Sequence, residues 1–88
     1  MTGYELAQNY PNPFNPSTEI SFTLAKSGKV KLAVYDILGK EIAVLVNGMR
    51  NAGSQTATFN AKNFSSGVYF YKLEAGNTVL AKKMILLK

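Results

Sequence analysis

The chain has 88 residues, a net charge of +5 and an apolar fraction of 47%. One domain is expected at this length, and burial of only roughly 60–65% of the unfolded surface leaves room for one core, not for a core plus a deep pocket. With neither cysteine nor histidine, a disulfide framework, a thiolate metal site and the commonest general base are excluded, and the ordinary apolar fraction argues against disorder.

Residues 1–4 read as an expression start or linker remnant, and 5–88 as the domain. Residues 9–18 run Asn-Tyr-Pro-Asn-Pro-Phe-Asn-Pro-Ser-Thr and hold all three prolines of the chain. Each proline confines its predecessor, Tyr10, Asn12 or Asn15, to extended backbone, and asparagine side chains mimic turns. An ordered, irregular lead-in is expected, with Tyr10 and Phe14 plugging one end of the core. Ile20, Phe22 and Leu24 then alternate with Glu19, Ser21 and Thr23, the period of a half-buried strand. After a turn at 25–28, Val30, Leu32 and Val34 alternate with Lys29, Lys31 and Ala33 in a second strand ending near Tyr35. Asp36 to Lys40 reads as a tight hairpin with Gly39 in the left-handed region. A third strand follows at 41–46. The spacing of Leu38, Ile42 and Leu45 also permits a helix over 37–46, but Gly39 and the β-branched residues make it the weaker option.

Asn47-Gly48 and Ala52-Gly53 bracket an expected loop. Thr56, Thr58 and Phe59 suggest a strand over 54–60, and Asn63 to Gly67 a turn. Residues 67–73, Gly-Val-Tyr-Phe-Tyr-Lys-Leu, carry the strongest strand signal; apolar on both faces, this strand is expected to be central. Ala75-Gly76-Asn77 turns the chain into a last strand over 78–87. Strands of about 6–9 residues with turn signals about every 10 predict an all-β, immunoglobulin-like antiparallel sandwich.

The nine lysines are spread along the chain, accompanied by one arginine, unlike the dense basic stripe of a nucleic-acid binder; no nucleic-acid partner is expected. The five carboxylates, Glu5, Glu19, Asp36, Glu41 and Glu74, fall at turns or on polar faces, which suits neither a glycosidase pair nor a calcium cluster. No Gly-rich phosphate loop precedes a helix. The tyrosines and phenylalanines read as core before they read as a sugar platform. Asn63-Phe64-Ser65 matches a glycosylation acceptor, a tripeptide frequent by chance. No apolar run approaches the ~20 residues of a membrane span. No signal peptide is visible at the start; if the protein is exported, the expectation is an export signal farther upstream or one of another kind. From the residues alone, the expectation is a non-catalytic β-sandwich without cofactor or metal.

Four segments then line up: Leu-Ala-Gln-Asn-Tyr-Pro-Asn-Pro-Phe-Asn-Pro-Ser-Thr at 6–18, Val-Tyr-Asp-Ile-Leu-Gly-Lys-Glu at 34–41, Ser-Gly-Val-Tyr-Phe-Tyr-Lys-Leu at 66–73 and Lys-Lys-Met-Ile-Leu-Leu-Lys at 82–88. Their order and spacing resemble the C-terminal sorting domain, type A, of the type IX secretion system, and the related immunoglobulin-like domain of flagellar hook-capping proteins. The resemblance implies a seven-stranded sandwich at the end of a larger secreted passenger protein. That passenger would reach the periplasm, be recognised by the outer-membrane translocon and be released or attached at the cell surface by a sortase-like protease. Carried over by position, it makes Pro11, Asn12, Pro13 and Pro16, Gly67, Val68 and Tyr69, and Lys82, Lys83 and Lys88 candidate recognition residues. Each set has a structural reading too: Gly67 as a turn residue, Tyr69 as core, and Lys82 and Lys83 as guards against edge pairing, while a terminal strand is also the natural element to offer to a partner strand. The alternatives are a fibronectin-like or carbohydrate-binding accessory module of a secreted hydrolase, and a structural module of an adhesin or flagellar assembly.

Overall fold

A computed structural model describes residues 3–88; of the start or linker remnant read over residues 1–4, Met1 and Thr2 lie outside the described residues. Seven strands form: β1 (Glu5–Leu6), β2 (Ser17–Leu24), β3 (Gly28–Tyr35), β4 (Glu41–Arg50), β5 (Gly53–Asn60), β6 (Gly67–Ala75) and β7 (Thr78–Leu86). They pair antiparallel in two sheets, β1-β2-β5 and β4-β3-β6-β7. The expected antiparallel, immunoglobulin-like sandwich is therefore the fold.

The alternations that predict β2 and β3 are the inward faces. Ile20, Phe22 and Leu24 meet Val30, Leu32 and Val34 in one core, joined by Tyr69, Tyr71 and Leu73 from β6 and Met84 and Leu86 from β7. As its composition suggests, β6 is interior, hydrogen-bonded to β3 on one side and β7 on the other. The 36–40 hairpin forms as expected. Gly39 adopts φ 85°, its N–H reaches the Asp36 carbonyl at 3.0 Å, and the Asp36 carboxylate accepts the Leu38 and Lys40 amides, each at 2.9 Å.

Two expectations are corrected, and one strand is unanticipated. Asn47-Gly48 is not a loop: β4 continues to Arg50, because Asn47, Gly48, Met49 and Arg50 stay in register opposite Lys31, Val30, Lys29 and Gly28. A long-range ladder overrides local turn propensity there, and the chain reverses at residues 51–52 instead. The short β1 carries no alternation of its own; pairing of Glu5 and Leu6 with Thr23 and Phe22 makes it a strand. Phe14 plugs the core end, but Tyr10 does not. Tyr10 exchanges both backbone hydrogen bonds with Glu19, at 2.9 Å, and this bridge leaves its ring 81% exposed.

At the β5–β6 corner the Tyr69 hydroxyl donates to the Ser65 carbonyl at 2.6 Å. A tyrosine near the start of this strand, bonding back to the backbone upstream, is a recurrent device of immunoglobulin-like sandwiches.

Candidate functional site

The proline-rich lead-in is held by a closed set of polar contacts, since proline offers no N–H to a ladder. Leaving β1, the Ala7 amide still bonds to Ser21 of β2, at 2.9 Å. The chain then crosses to the other sheet over the buried Tyr71. The Tyr71 hydroxyl donates to the Ala7 carbonyl at 2.7 Å and accepts the Asn9 amide at 2.8 Å. Burial pushes the Tyr71 phenol upward, offset in part by the Asn9 amide. The Asn9 side chain, itself buried, donates to the Pro11 carbonyl at 3.1 Å and to the Thr18 hydroxyl at 3.0 Å, and Thr18 donates to the same carbonyl at 2.9 Å. Every buried side-chain polar atom among the described residues has a partner, as a rigid segment requires.

Past this knot the lead-in closes on the outer edge of β7. Gln8 Nε2 donates to the Lys83 carbonyl at 2.7 Å. The Ile85 amide donates to Asn12 Oδ1 at 3.0 Å. The Phe14 amide reaches the Ile85 carbonyl, and the Leu87 amide the Phe14 carbonyl, each at 3.0 Å, a short parallel bridge of Phe14 to Leu86. The ring of Phe14 is buried against Phe59 (centroids 6.1 Å apart), which continues through Phe64 to Tyr69. Lys88 closes the end: its amide donates to Ser66 Oγ at 3.0 Å and its ammonium to the Lys62 carbonyl at 2.7 Å.

The candidate residues therefore gather at one end of the sandwich. Pro11, Asn12, Pro13 and Pro16 are exposed beside the final turn of chain. Gly67, Val68 and Tyr69 lie one strand inward, opposite Leu86, Ile85 and Met84, and Lys88 borders them. Lys82 and Lys83 stand apart, exposed farther up β7 opposite Tyr71 and Phe70. Sequence reasoning missed Gln8, Asn9, Thr18 and Tyr71, which fix the seam. The density of side-chain amides around the prolines signalled Gln8 and Asn9, and nothing local signalled Thr18 and Tyr71.

Elsewhere, Glu41 and Lys31 pair at 2.7 Å. Their mutual hydrogen bond lowers the carboxyl and raises the ammonium from their ordinary values. Glu74 lies 3.6 Å from Lys72, whose ammonium sits 5.0 Å from the centre of the Tyr35 ring. Among the described residues no group of three or more Asp and Glu side chains could hold a metal ion, and no helix is long and apolar enough to cross a membrane. A cleft of about 720 Å³ at the opposite end contains one carboxylate, Glu74, among Lys26, Lys29 and Lys31; it lacks the facing pair that glycoside hydrolysis uses.

Comparison with known proteins gives one match: the family model of the secretion system C-terminal sorting domain aligns with residues 8–87. No curated protein and no solved structure matches. The family match spans the lead-in, both sheets and the seam on β7, so this β-sandwich belongs to the type IX secretion system C-terminal sorting domains, which serve as the secretion signal of a larger secreted or cell-surface protein.

Proposed function

We propose that this domain, over residues 5–88, is the non-catalytic address label of an N-terminal passenger in the same native chain. The folded label is recognised by the type IX outer-membrane translocon after the passenger has reached the periplasm. A sortase-like surface protease then removes it, leaving the passenger secreted or attached to the cell surface. Family membership over residues 8–87 carries this reading. The geometry is compatible with it: exposed Pro11, Asn12, Pro13 and Pro16 lie beside the end of the terminal strand and Lys88, the Gly67–Tyr69 corner lies one strand inward, and Lys82 and Lys83 are exposed farther along the same strand. The lysines offer charge, and the prolines a stiff surface without N–H donors.

The test is a secretion assay. The domain, with its native upstream linker, is fused to a signal-peptide-bearing fluorescent reporter in a host with a type IX translocon and in a strain lacking it. Reporter at the surface or in the medium only when the translocon is present is the expected result. Periplasmic retention in both strains, with the fused domain folded by circular dichroism, would overturn the sorting reading.

A further inference from the structure

The two halves of the β7 edge differ. Backbone groups along an antiparallel strand point alternately to its partner and away. The contacts from Gln8, Asn12 and Phe14 identify Lys83, Ile85 and Leu87 as residues whose groups point away from β6. By the same alternation Val79 and Ala81 also point outward. Lead-in atoms occupy the Lys83 carbonyl, both Ile85 groups and the Leu87 amide. No backbone or side-chain partner meets the N–H and C=O of Val79 and Ala81, or the N–H of Lys83, among the described residues. The lower edge is closed and the upper edge is open.

The open half faces a gap. β1 and β7 border the same side of the sandwich, in different sheets, without pairing to each other. Between them lies a cleft of about 400 Å³ lined by Tyr4, Glu5, Leu6, Leu80, Ala81 and Lys82. A strand added to Val79–Lys83 would find unpaired backbone groups at its flank and the aliphatic side chains of Leu6 and Leu80 beneath it. Strand addition combines these two elements: main-chain bonds for affinity and a pocket for alternate side chains.

Charge selects the occupant. Lys82 and Lys83 are exposed at the lower limit of the open edge, and neither is in a salt bridge among the described residues. Self-pairing of two β7 edges would gather four ammonium groups on one short ribbon, in a molecule already at +5, and edge lysines oppose such pairing. A partner strand bearing carboxylates has the reverse effect.

We propose that Val79–Lys83 is a strand-acceptor site, and that an extended, acidic segment of the translocon adds to β7 there. This rests on the sorting reading and gives it a location and a mode. The lead-in acts as a stop that confines the added strand to the upper half of the edge.

The deciding variant is Ala81→Pro in the reporter fusion. Its missing N–H faces outward, so the β6 ladder keeps its bonds, and proline is tolerated on edge strands. Ala81→Val, which keeps the N–H, is the control. Secreted reporter is expected to fall about tenfold or more for Ala81→Pro, the scale of one unsatisfied hydrogen bond at an interface, with an unchanged melt, while Ala81→Val sorts like the parent. Lys83→Glu is expected to reduce sorting as well. A parallel measurement avoids substitution: hydrogen exchange of the parent domain alone and with solubilised translocon. Slowing at the Val79, Ala81 and Lys83 amides supports the site, and a stable complex without it overturns it. A parent that is secreted together with an equally secreted, folded Ala81→Pro overturns the acceptor site and leaves the sorting reading standing. A parent whose fused domain is folded yet is never secreted overturns both. A dimer in solution abolished by Ala81→Pro would assign the edge to a second copy instead.

Discussion

Tyr71→Phe isolates the contact that ties the lead-in to the sheets. The ring is fully buried in β6, and the substitution conserves its shape, so no cavity opens. What disappears is one hydroxyl that both donates to Ala7 and accepts from Asn9. Ala7 is exposed, so water can replace its lost donor. Asn9 is only 2% exposed, and its amide would be left without a partner. An orphaned buried donor costs about 1–3 kcal/mol, and the replaced bond roughly 0.5–1.5 kcal/mol more, so a loss of about 2–3 kcal/mol is expected. For a domain of this size 1 kcal/mol shifts the midpoint by about 4–8 °C, which places the variant at least ~8 °C below the parent. Thermal and urea denaturation measure the loss, and hydrogen exchange at Asn9 localises it. The alkaline limb gives an independent check. Burial raises the Tyr71 phenol above its ordinary value of 10.0. Above pH 10 the unfolded chain therefore releases a proton that the folded one still holds, and stability falls as pH rises between the unfolded and folded values. Stability contributed by Tyr71 is fully present below pH 10, and the phenylalanine variant lacks this part of the decline. A variant within 0.5 kcal/mol of the parent, on the scale of ordinary surface changes, with Asn9 still protected, would refute the reasoning.

Phe14→Ala empties the end of the core, where the ring meets Phe59 at 6.1 Å. A loss of about 3–5 kcal/mol is expected, read by denaturant titration. Asn12→Ala removes the side-chain cap of Ile85 on an exposed edge; hydrogen exchange at Ile85 should accelerate while global stability changes by less than ~1 kcal/mol. Gly39→Ala places a Cβ in open space but at φ 85°, so strain alone acts; a loss of about 1 kcal/mol in chemical denaturation is expected.

The parts of the fold that repeat a local rule were legible. Ile20-Phe22-Leu24 and Val30-Leu32-Val34 encode their faces by period, Gly39 encodes its turn, and the doubly apolar 67–73 segment encodes an interior strand. What escaped depends on partners far away in sequence. Gly48 is a turn residue by composition and a strand residue because Val30 lies opposite it. Tyr10 and Phe14 are both lead-in aromatics, and the backbone bridge of Tyr10 to Glu19 goes with an exposed Tyr10 while Phe14 is buried. The candidate site was legible as segments and not as an assembly. Gln8 reaches a carbonyl 75 positions away, a contact without a periodic signature. Lys82 and Lys83 marked β7 as an edge, but only the positions of Gln8, Asn12 and Phe14 divide that edge into closed and open halves.

The same geometry determines how the terminal strand must be tested. Removing residues 82–88 looks like removal of an address, yet those residues also build the domain. Met84 and Leu86 are fully buried, and losing each side chain costs about 2–5 kcal/mol by analogy with large-to-alanine changes. The deletion also strips the β6 partners of Gly67 through Tyr71 and the backbone bridge that seats Phe14. The sum reaches or exceeds the 5–15 kcal/mol that stabilises a typical domain, so the truncated chain is expected to be unfolded, with loss of the cooperative melt and of dispersed amide resonances. Its failure to sort would then follow from absence of the fold, whatever the translocon reads. A truncated domain that kept a cooperative transition would refute this reasoning and make the deletion a clean test of recognition. Otherwise the discriminating changes are those confined to groups that face away from the core, the outward N–H of Ala81 and the ammonium of Lys83, because they alter what a partner meets while leaving the β6–β7 ladder intact.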